Sequence, residues 1–201
     1  MHLPPEQLAR ARRGDRAALA ALVRHYQHRV VAVCVALAGP DGEDCAQEAL
    51  VKVLRAIRQF DPTRSPSLDA WVMTIARRVC LDRARAARVR RHADLDADQL
   101  EATGELSAPS RARHTAVRRA VLALPDDQRA VVALRMWGEL AYDEIAELEH
   151  VPIGTVRSRL ARAREALRSA LSALDPHAAA HVGPPADAAA SDDGRSSGGT
   201  R

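Results

Sequence analysis

The chain has 201 residues, of which 47% are hydrophobic but only 2% aromatic, and it carries a formal net charge of +4. Because Ala, Leu and Arg favour helices and strand-favouring residues are sparse, this composition predicts an all-α fold and argues against a β-sheet protein. No segment approaches the roughly 20 apolar residues that a membrane span needs, and no apolar N-terminal run is typical of a signal peptide, so we expect a cytoplasmic protein with no membrane insertion.

The first part of the chain predicts three helices. Apolar residues recur at helical spacing over residues 5–38, and Gly14 followed by Asp15 marks a break, so two helices are expected there. Residues 39–42, Gly-Pro-Asp-Gly, predict a turn, and the third helix is expected to run to about Arg58. The apolar face of this third helix is formed by Ala46, Leu50, Val53, Leu54 and Ile57.

A loop is expected at residues 60–67. Pro62 and Pro66 restrict the backbone there, and each pushes the residue before it out of helical conformation. Ser67 is placed to cap the helix that follows, which begins at Leu68 and has apolar residues at helical spacing.

This helix continues into a block of seven arginines and one acid at residues 77–91. A second basic block, residues 153–172, has five arginines and one acid, whereas residues 92–110 contain five acids and no Lys or Arg. Since Lys52 is the only lysine, arginine supplies nearly all of the positive charge. The two blocks predict two separate anion-binding surfaces.

The shifts in composition predict the domain boundaries. Residues 1–91 are expected to form a four-helix domain, and residues 92–111 a flexible acidic linker. Helices resume over residues 112–174. Residues 175–201 are rich in Ala, Gly, Ser, Pro and Asp and are expected to be a disordered tail. The predicted architecture is two small helical domains joined by a flexible linker.

Residues 141–171 have the layout of a helix-turn-helix. Ile145 lies on the apolar face of the short first helix, residues 149–151 form the turn, and Val156 and Leu160 anchor the second helix. With these residues facing inward, the exposed face of the second helix is expected to carry Arg157, Ser158, Ala161, Arg162 and Glu165.

The arginines of the second helix allow two interpretations. They form a solvated surface, as charged helix faces usually do, or they enter the major groove of DNA, where each bidentate contact discriminates between bases by about 1–3 kcal/mol. The turn and the small Ala146, which lets two helices cross closely, favour the DNA interpretation.

Segments of both domains resemble the extracytoplasmic-function (ECF) sigma factors of the sigma-70 family of bacterial RNA polymerase, over roughly residues 10–172. LPDDQRAVVALR (124–135), the helix pair and GTVRSRLARAR (154–164) resemble region 4 of that family. The segments that resemble region 2 are DCAQEALVKV (44–53), FDP (60–62), AWVMTIAR (70–77) and LDR (81–83).

The resemblance implies two functions for region 2. In the family, the region-2 helix binds a coiled coil of the largest polymerase subunit, while the loop and the helix after it capture a flipped base and hold the non-template strand of the minus-ten element. The implied core polymerase-binding residues are Asp44, Gln47, Glu48, Val51 and Lys52. The implied minus-ten residues are Phe60, Asp61, Ser67, Arg77, Arg78, Arg83 and Arg85. Phe60 fits either the core or the DNA surface, whereas the helical spacing of Trp71 favours the core.

For region 4, the resemblance implies recognition of the minus-thirty-five element. The implied contact residues are Thr155, Arg157, Ser158, Arg159, Ala161 and Arg162. The chain departs from the family at three positions. Arg78 stands where asparagine is common. Ala161 stands where several members have a larger side chain, so the contact area between α-helix and DNA groove is expected to be smaller at this position. His150 replaces the glycine usual in the turn, which predicts a strained backbone there.

No residue pattern indicates catalysis. Cys34, Cys45 and Cys80 are odd in number and form no Cys-x-x-Cys pair, so they are interpreted as buried structural thiols. The sequence has no Gly-rich phosphate loop and no metal-ligand spacing. We therefore expect no catalytic residue, no metal site and no cofactor, and a protein that is not an enzyme.

The sequence thus predicts an alternative sigma factor that directs the RNA polymerase core to promoter DNA and initiates transcription. The resemblance also implies an anti-sigma factor as a partner. Two alternatives stay open: a stand-alone helix-turn-helix regulator that binds duplex DNA as a dimer, and a protein-interaction module that has no need of Arg157 or Arg162.

Overall fold

The computed structural model describes residues 3–63, 65, 67–91 and 108–172, and within these ranges the chain is helical with no strand. The all-α prediction is confirmed. The helices are α1 (Pro5–Arg12), α2 (Arg16–Ala38), α3 (Gly42–Ala56), α4 (Leu68–Arg91), α5 (Ala108–Leu122), α6 (Asp126–Met136), α7 (Tyr142–Glu149) and α8 (Ile153–Ser172), with short 3-10 turns at Gly39–Asp41 and Ile57–Gln59. No helix of the described residues is both long enough and apolar enough to cross a bilayer.

The predicted break between α1 and α2 is confirmed. Gly14 adopts φ +85°, a conformation that glycine reaches without steric cost. Asp15 then caps α2, because its Oδ1 accepts a hydrogen bond from the Ala18 N–H at 3.0 Å. Its Oδ2 also accepts a hydrogen bond from Arg10 Nη2 at 2.7 Å, so the two helices are joined by one carboxylate.

The Asp15 cap makes stability depend on pH in a defined direction. The hydrogen bond from the Ala18 N–H, followed by that from Arg10, lowers the pKa of Asp15 below its ordinary value of 3.8. A carboxyl with a lowered folded-state pKa stabilises the protein above its unfolded-state pKa, and this contribution is lost as the pH falls through the folded-state pKa. At neutral pH we expect the wild-type protein to have a higher melting temperature than the Asp15→Asn variant. We expect this difference to disappear in acid, well below pH 3.8. Melting temperatures of both proteins across this range test it, and a difference independent of pH would contradict it.

Helix α2 is the centre of the first domain and contacts α1, α3 and α4. Its core includes Leu22, Tyr26 and Val33, all at most 1% exposed. The three cysteines are also buried, as predicted. Burial raises the pKa of the Cys45 thiol to about 12, and the hydrogen bond with Cys34 together with burial raises the pKa of Cys80. The thiols of Cys45 and Cys80 are therefore held in their neutral, weakly nucleophilic form.

The second domain consists of α5 to α8. Helix α6 lies against α8, and α7 packs on both α6 and α8. Helix α5 begins at Ala108, so the linker predicted to end at residue 111 is too long at this end. The rest of that linker, residues 92–107, and the predicted tail, 175–201, lie outside the described residues.

The two domains are in contact with each other, which the sequence did not predict. Helix α2 contacts α5 and α6, and α4 contacts α7. Arg29 of α2 donates a hydrogen bond to the Gly138 carbonyl of the second domain and another, at 2.7 Å, to Asp69 of α4. Arg118 of α5 donates to the Gly39 carbonyl at 3.3 Å.

Candidate nucleic-acid interfaces

Helix α3 presents an exposed polar face with one apolar residue. Its buried side packs into the domain core through Cys45, Ala46, Ala49 and Val53. Val51 is 45% exposed, although it is a large apolar residue. Every predicted polymerase-binding residue lies on the exposed side: Asp44, Gln47, Glu48, Val51 and Lys52.

Charged side chains are arranged along this face. Lys52 Nζ lies 2.8 Å from Glu48 Oε1, and this hydrogen bond lowers the pKa of Glu48. Arg83 Nη2 of α4 lies 3.9 Å from the other Glu48 oxygen. The face is therefore polar, accessible and centred on an exposed valine, a composition suited to a protein interface.

Phe60 belongs to the core, so its predicted direct contact with DNA is wrong for this conformation. Its side chain is 2% exposed and meets the Trp71 ring edge-on, with ring centroids 5.3 Å apart. Trp71 itself packs against the core, in agreement with its helical spacing. The two rings bury their apolar surface away from water, and this burial favours a structural role for Phe60 over a place on the DNA surface.

The loop between α3 and α4 is held by its own polar side chains. Asp61 Oδ1 accepts hydrogen bonds from the Thr63 N–H at 2.9 Å and from its hydroxyl at 2.7 Å. Ser67 caps α4 as predicted, because its Oγ accepts a hydrogen bond from the Ala70 N–H at 3.0 Å.

The predicted minus-ten arginines do not form one free surface. Arg78 and Arg85 are exposed, and Arg83 is half-buried. Arg77, in contrast, donates two hydrogen bonds to Glu149 of α7, from Nε at 2.9 Å and from Nη2 at 3.2 Å. A carboxylate from the second domain therefore occupies the Arg77 guanidinium in this conformation, and contact of Arg77 with DNA stays a prediction.

Helices α7 and α8 form the predicted helix-turn-helix. Ile145 of α7 and Val156 and Leu160 of α8 are buried where the two helices meet. His150 lies in the turn with φ 54° and ψ 45°, the left-handed conformation that was predicted from the missing glycine. The Val151 N–H then donates to the Ala146 carbonyl at 3.0 Å, which ends α7.

The outer face of α8 carries the predicted exposed residues. Arg157, Ala161 and Arg162 are exposed. Ser158 is half-buried, and its hydroxyl donates to the Thr155 carbonyl at 3.0 Å. The Thr155 N–H donates to the Pro152 carbonyl at 2.8 Å, within the first turn of the helix. A basic face thus projects from a helix whose opposite side is fixed in the core, as a helix that enters the major groove requires.

Arg159 does not belong to this face, and its contact with DNA stays a prediction. It lies on the side of α8 that is turned towards α6, its side chain is only 20% exposed, and Nε lies 3.0 Å from Asp127 Oδ2. Arg159 therefore joins two helices of the second domain. The acids of the "PDD" segment were the only sequence signal for this partner.

The sequence interpretation also missed the contacts that Glu144 and Glu149 make between the two domains. Both point from α7 to the first domain, where Glu144 accepts a hydrogen bond from the Ser67 hydroxyl. Within the described ranges, no group of three or more His, Cys, Asp or Glu residues is arranged to hold a metal ion.

Comparisons with known proteins identify the two domains. Residues 22–90 match sigma-70 region 2, and residues 114–167 match sigma-70 region 4. Two solved structures share the fold. CnrH in complex with the cytosolic domain of CnrY has a TM-score of 0.62 and 21% sequence identity, and the match covers 83% of this chain and 96% of that one. The sigma factor RpoE in complex with the anti-sigma factor NepR from Bartonella quintana has a TM-score of 0.61 and 23% sequence identity, and the match covers 76% of this chain and 96% of that one.

Characterised relatives are similar over nearly their whole length. The RNA polymerase sigma-H factor of Pseudomonas aeruginosa is 34% identical over 82% of this chain and 92% of its own. The ECF RNA polymerase sigma factor SigW of Bacillus subtilis is 31% identical over 84% of this chain and 97% of its own. The ECF RNA polymerase sigma-E factor of Escherichia coli K12 is 34% identical over 82% of this chain and 92% of its own. These relatives favour a sigma factor over a stand-alone regulator. The chain belongs to the sigma-70 family, among the ECF RNA polymerase sigma factors.

Proposed function

We propose that this sigma factor binds the RNA polymerase core through the exposed face of α3, and recognises the minus-ten element with the 60–67 loop and α4 and the minus-thirty-five element with α8. The basic face of α8 carries this proposal. Arg157 and Arg162 are exposed there, while Val156 and Leu160 fix the opposite side of the helix in the core. Such a helix is held rigidly in the orientation that base contacts need.

For the minus-ten element, the proposal relies on the exposed part of α4. Arg78 and Arg85 are exposed, which suits contact with the phosphates of single-stranded DNA. Asp61 and Ser67 hold the loop beside them, and Phe60 supports that loop from the core. In this assignment Phe60 is a supporting residue rather than a DNA contact.

The proposal assigns no chemical reaction to the chain itself. It acts by binding, and its place of action is where RNA polymerase works, in the cytoplasm. RpoE of Bartonella quintana, which shares the fold, is bound by an anti-sigma factor. We include an anti-sigma factor among the proposed partners of this chain on that ground.

The proposal is tested by reconstitution with bacterial core RNA polymerase. Because the promoter is unknown, the holoenzyme is first used to enrich fragments of genomic DNA, and the enriched fragments are then transcribed. We expect discrete start sites with this chain and none with core alone. Failure to bind core, together with the absence of transcription from every enriched fragment, would refute the function.

Val51 provides a specific test of the α3 interface. Replacement by aspartate puts a charge on the apolar centre of the proposed contact, where it would be buried without a partner. We expect Val51→Asp to weaken core binding by about tenfold or more, measured by fluorescence anisotropy. The matched control is Ala20→Asp, which introduces the same charge at an exposed position of α2. Equal effects of the two substitutions would argue against this face.

A further inference from the structure

Four arginines lie around the turn between α1 and α2. Arg12 and Arg13 stand at the end of α1, Arg16 begins α2, and all three are exposed. The fourth, Arg58, is also exposed and belongs to the 3-10 turn that follows α3. Its guanidinium lies over Gly14, where a Cβ would be only 2.5 Å from Nη2. These four residues are called the α1–α2 arginine cluster below.

The position of Arg58 is unfavourable in the protein alone. Gly14 has no side chain, so the Arg58 guanidinium comes close to the backbone of the turn, between Arg13 and Arg16. Like charges that are brought together repel each other and destabilise the compact state. A bound anion would remove this repulsion.

No acid neutralises the cluster. Asp15 is the acid of this turn, but its Oδ1 accepts a hydrogen bond from the Ala18 N–H and its Oδ2 accepts one from Arg10. Over the residues that the structure describes, none of the four cluster arginines has an ion pair or a side-chain hydrogen bond. Arg77, in contrast, is paired with a carboxylate. The guanidinium donors of the cluster are therefore available to an external anion.

The cluster adjoins the loop of the proposed minus-ten surface. Helix α1 contacts the 3-10 turn that contains Arg58, and Phe60, two residues later, begins the loop with its ring fixed in the core. Helix α4, with the exposed Arg78 and Arg85, starts from the other end of the loop. Exposed arginines thus flank the 60–67 loop on both sides.

We propose that the α1–α2 arginine cluster binds phosphates of the single-stranded promoter DNA next to the segment held by the 60–67 loop. The inference rests on the proposed function, and it extends the minus-ten surface to the side of the loop away from α4. Guanidinium groups suit this role because their donors match the geometry of phosphate oxygens.

The composition of the cluster favours DNA over an acidic protein as the partner. A protein interface usually has an apolar centre. Among the described residues, the large apolar side chains that are exposed are Val51, Met136 and Ile153, and none of them belongs to the cluster. A surface of charge without apolar residues fits a phosphate backbone.

Two fluorescein-labelled DNA strands test the proposal, both taken from the non-template strand of a fragment that the holoenzyme enriches. The short strand covers the minus-ten segment alone, and the long strand extends about ten nucleotides beyond it on each side. We expect holoenzyme with Arg13→Gln and Arg58→Gln together to bind the long strand about tenfold more weakly than wild type, and the short strand equally well. For the long strand, the slope of log affinity against log salt concentration should become shallower by about 0.7 for each lost phosphate contact. An unchanged affinity for the long strand, or an equal loss on both strands, would overturn the proposal.

The matched control is Arg24→Gln with Arg119→Gln. It removes the same charge from two exposed positions outside the cluster, on α2 and α5. We expect this control to bind both strands like wild type. If it loses as much affinity for the long strand as the cluster variant does, net charge explains the effect and the proposal is overturned.

Stability and core binding separate a DNA contact from two other roles of the cluster. Because the four arginines repel each other, their partial neutralisation should leave the melting temperature unchanged or raise it. A marked fall in melting temperature together with weaker DNA binding would make the cluster structural. Weaker binding of core polymerase, with the affinity of the assembled holoenzyme for the long strand unchanged, would assign the cluster to a protein partner. Either result would overturn the proposal.

Arg78→Ala distinguishes failure of this inference from failure of the proposed function. If Arg78→Ala weakens binding of the short strand, the minus-ten assignment of α4 stands. A cluster variant without effect then refutes only the extended DNA surface. If Arg78→Ala leaves binding of the short strand unchanged, the minus-ten assignment fails and the extension fails with it.

Discussion

Replacing Arg157 and Arg162 together by alanine is expected to abolish useful recognition of the minus-thirty-five element. Each arginine in a good contact with a base contributes about 1–3 kcal/mol, so the pair contributes about 2–6 kcal/mol if the two effects add. This corresponds to a loss of affinity of roughly 30-fold or more. The measurement is fluorescence anisotropy with a duplex taken from the fragments that the holoenzyme enriches. The structural reason is that both side chains are exposed on a helix anchored by Val156 and Leu160.

The control for this prediction is Arg168→Ala. Arg168 is also exposed on α8, but it lies near the end of the helix and pairs with Glu165. Its loss removes one positive charge, half of what the double variant removes, without touching the proposed contact face, so we expect a much smaller change. A loss of binding free energy in Arg168→Ala of about half that in the double variant, or more, would mean that charge alone, and not a base contact, accounts for binding.

Gly42→Ala is expected to destabilise the first domain severely. A Cβ at this position would lie 2.4 Å from the Cα and 2.7 Å from the N of Val35, which are backbone atoms of α2. No rotamer relieves such a clash, so α2 and α3 must move apart and their shared core must loosen. We expect the free energy of unfolding to fall by about 1–3 kcal/mol or more, as in overpacked cores. Urea unfolding followed by circular dichroism measures this change.

Gly154→Ala is the matched control for the helix crossing. Gly154 lies in α8 with no neighbouring atom within 4 Å of its would-be Cβ, so alanine fits there without strain. Since alanine favours helices over glycine by up to about 1 kcal/mol, this variant should be as stable as wild type or more stable. A loss of stability equal to that of Gly42→Ala would show that the α2–α3 approach is not the cause.

The helices could be predicted because their signals are local. The Gly14–Asp15 break, the cap at Ser67 and the strained turn at His150 each depend on residues within a few positions, and the structure has all three. The helix-turn-helix followed in the same way from apolar spacing around Ile145 and Val156. Such patterns depend on the geometry of one helix and its ends, which the sequence contains directly.

The site residues were less predictable because exposure depends on what each helix packs against. A basic helix displays arginines on several sides. Apolar spacing placed Arg162 on the exposed face of α8, whereas the family resemblance alone assigned Arg159 to the DNA surface. Their separation is decided by Asp127 on α6, which binds Arg159. Phe60 was left between core and surface for the same reason, and contact with Trp71 places it in the core.

The sequence by itself determined the all-α class, the helix-turn-helix and the membership of the sigma-70 family, because these depend on residue order and local spacing. The tertiary structure decided which charged residues pair with other residues of the protein and which are exposed to solvent. Arg77 and Glu149 are 72 positions apart, and Ser67 and Glu144 are 77 apart, so no local pattern connects them. Only the packing of one domain on the other brings each pair within hydrogen-bond distance, and that packing depends on the summed contacts of whole helices.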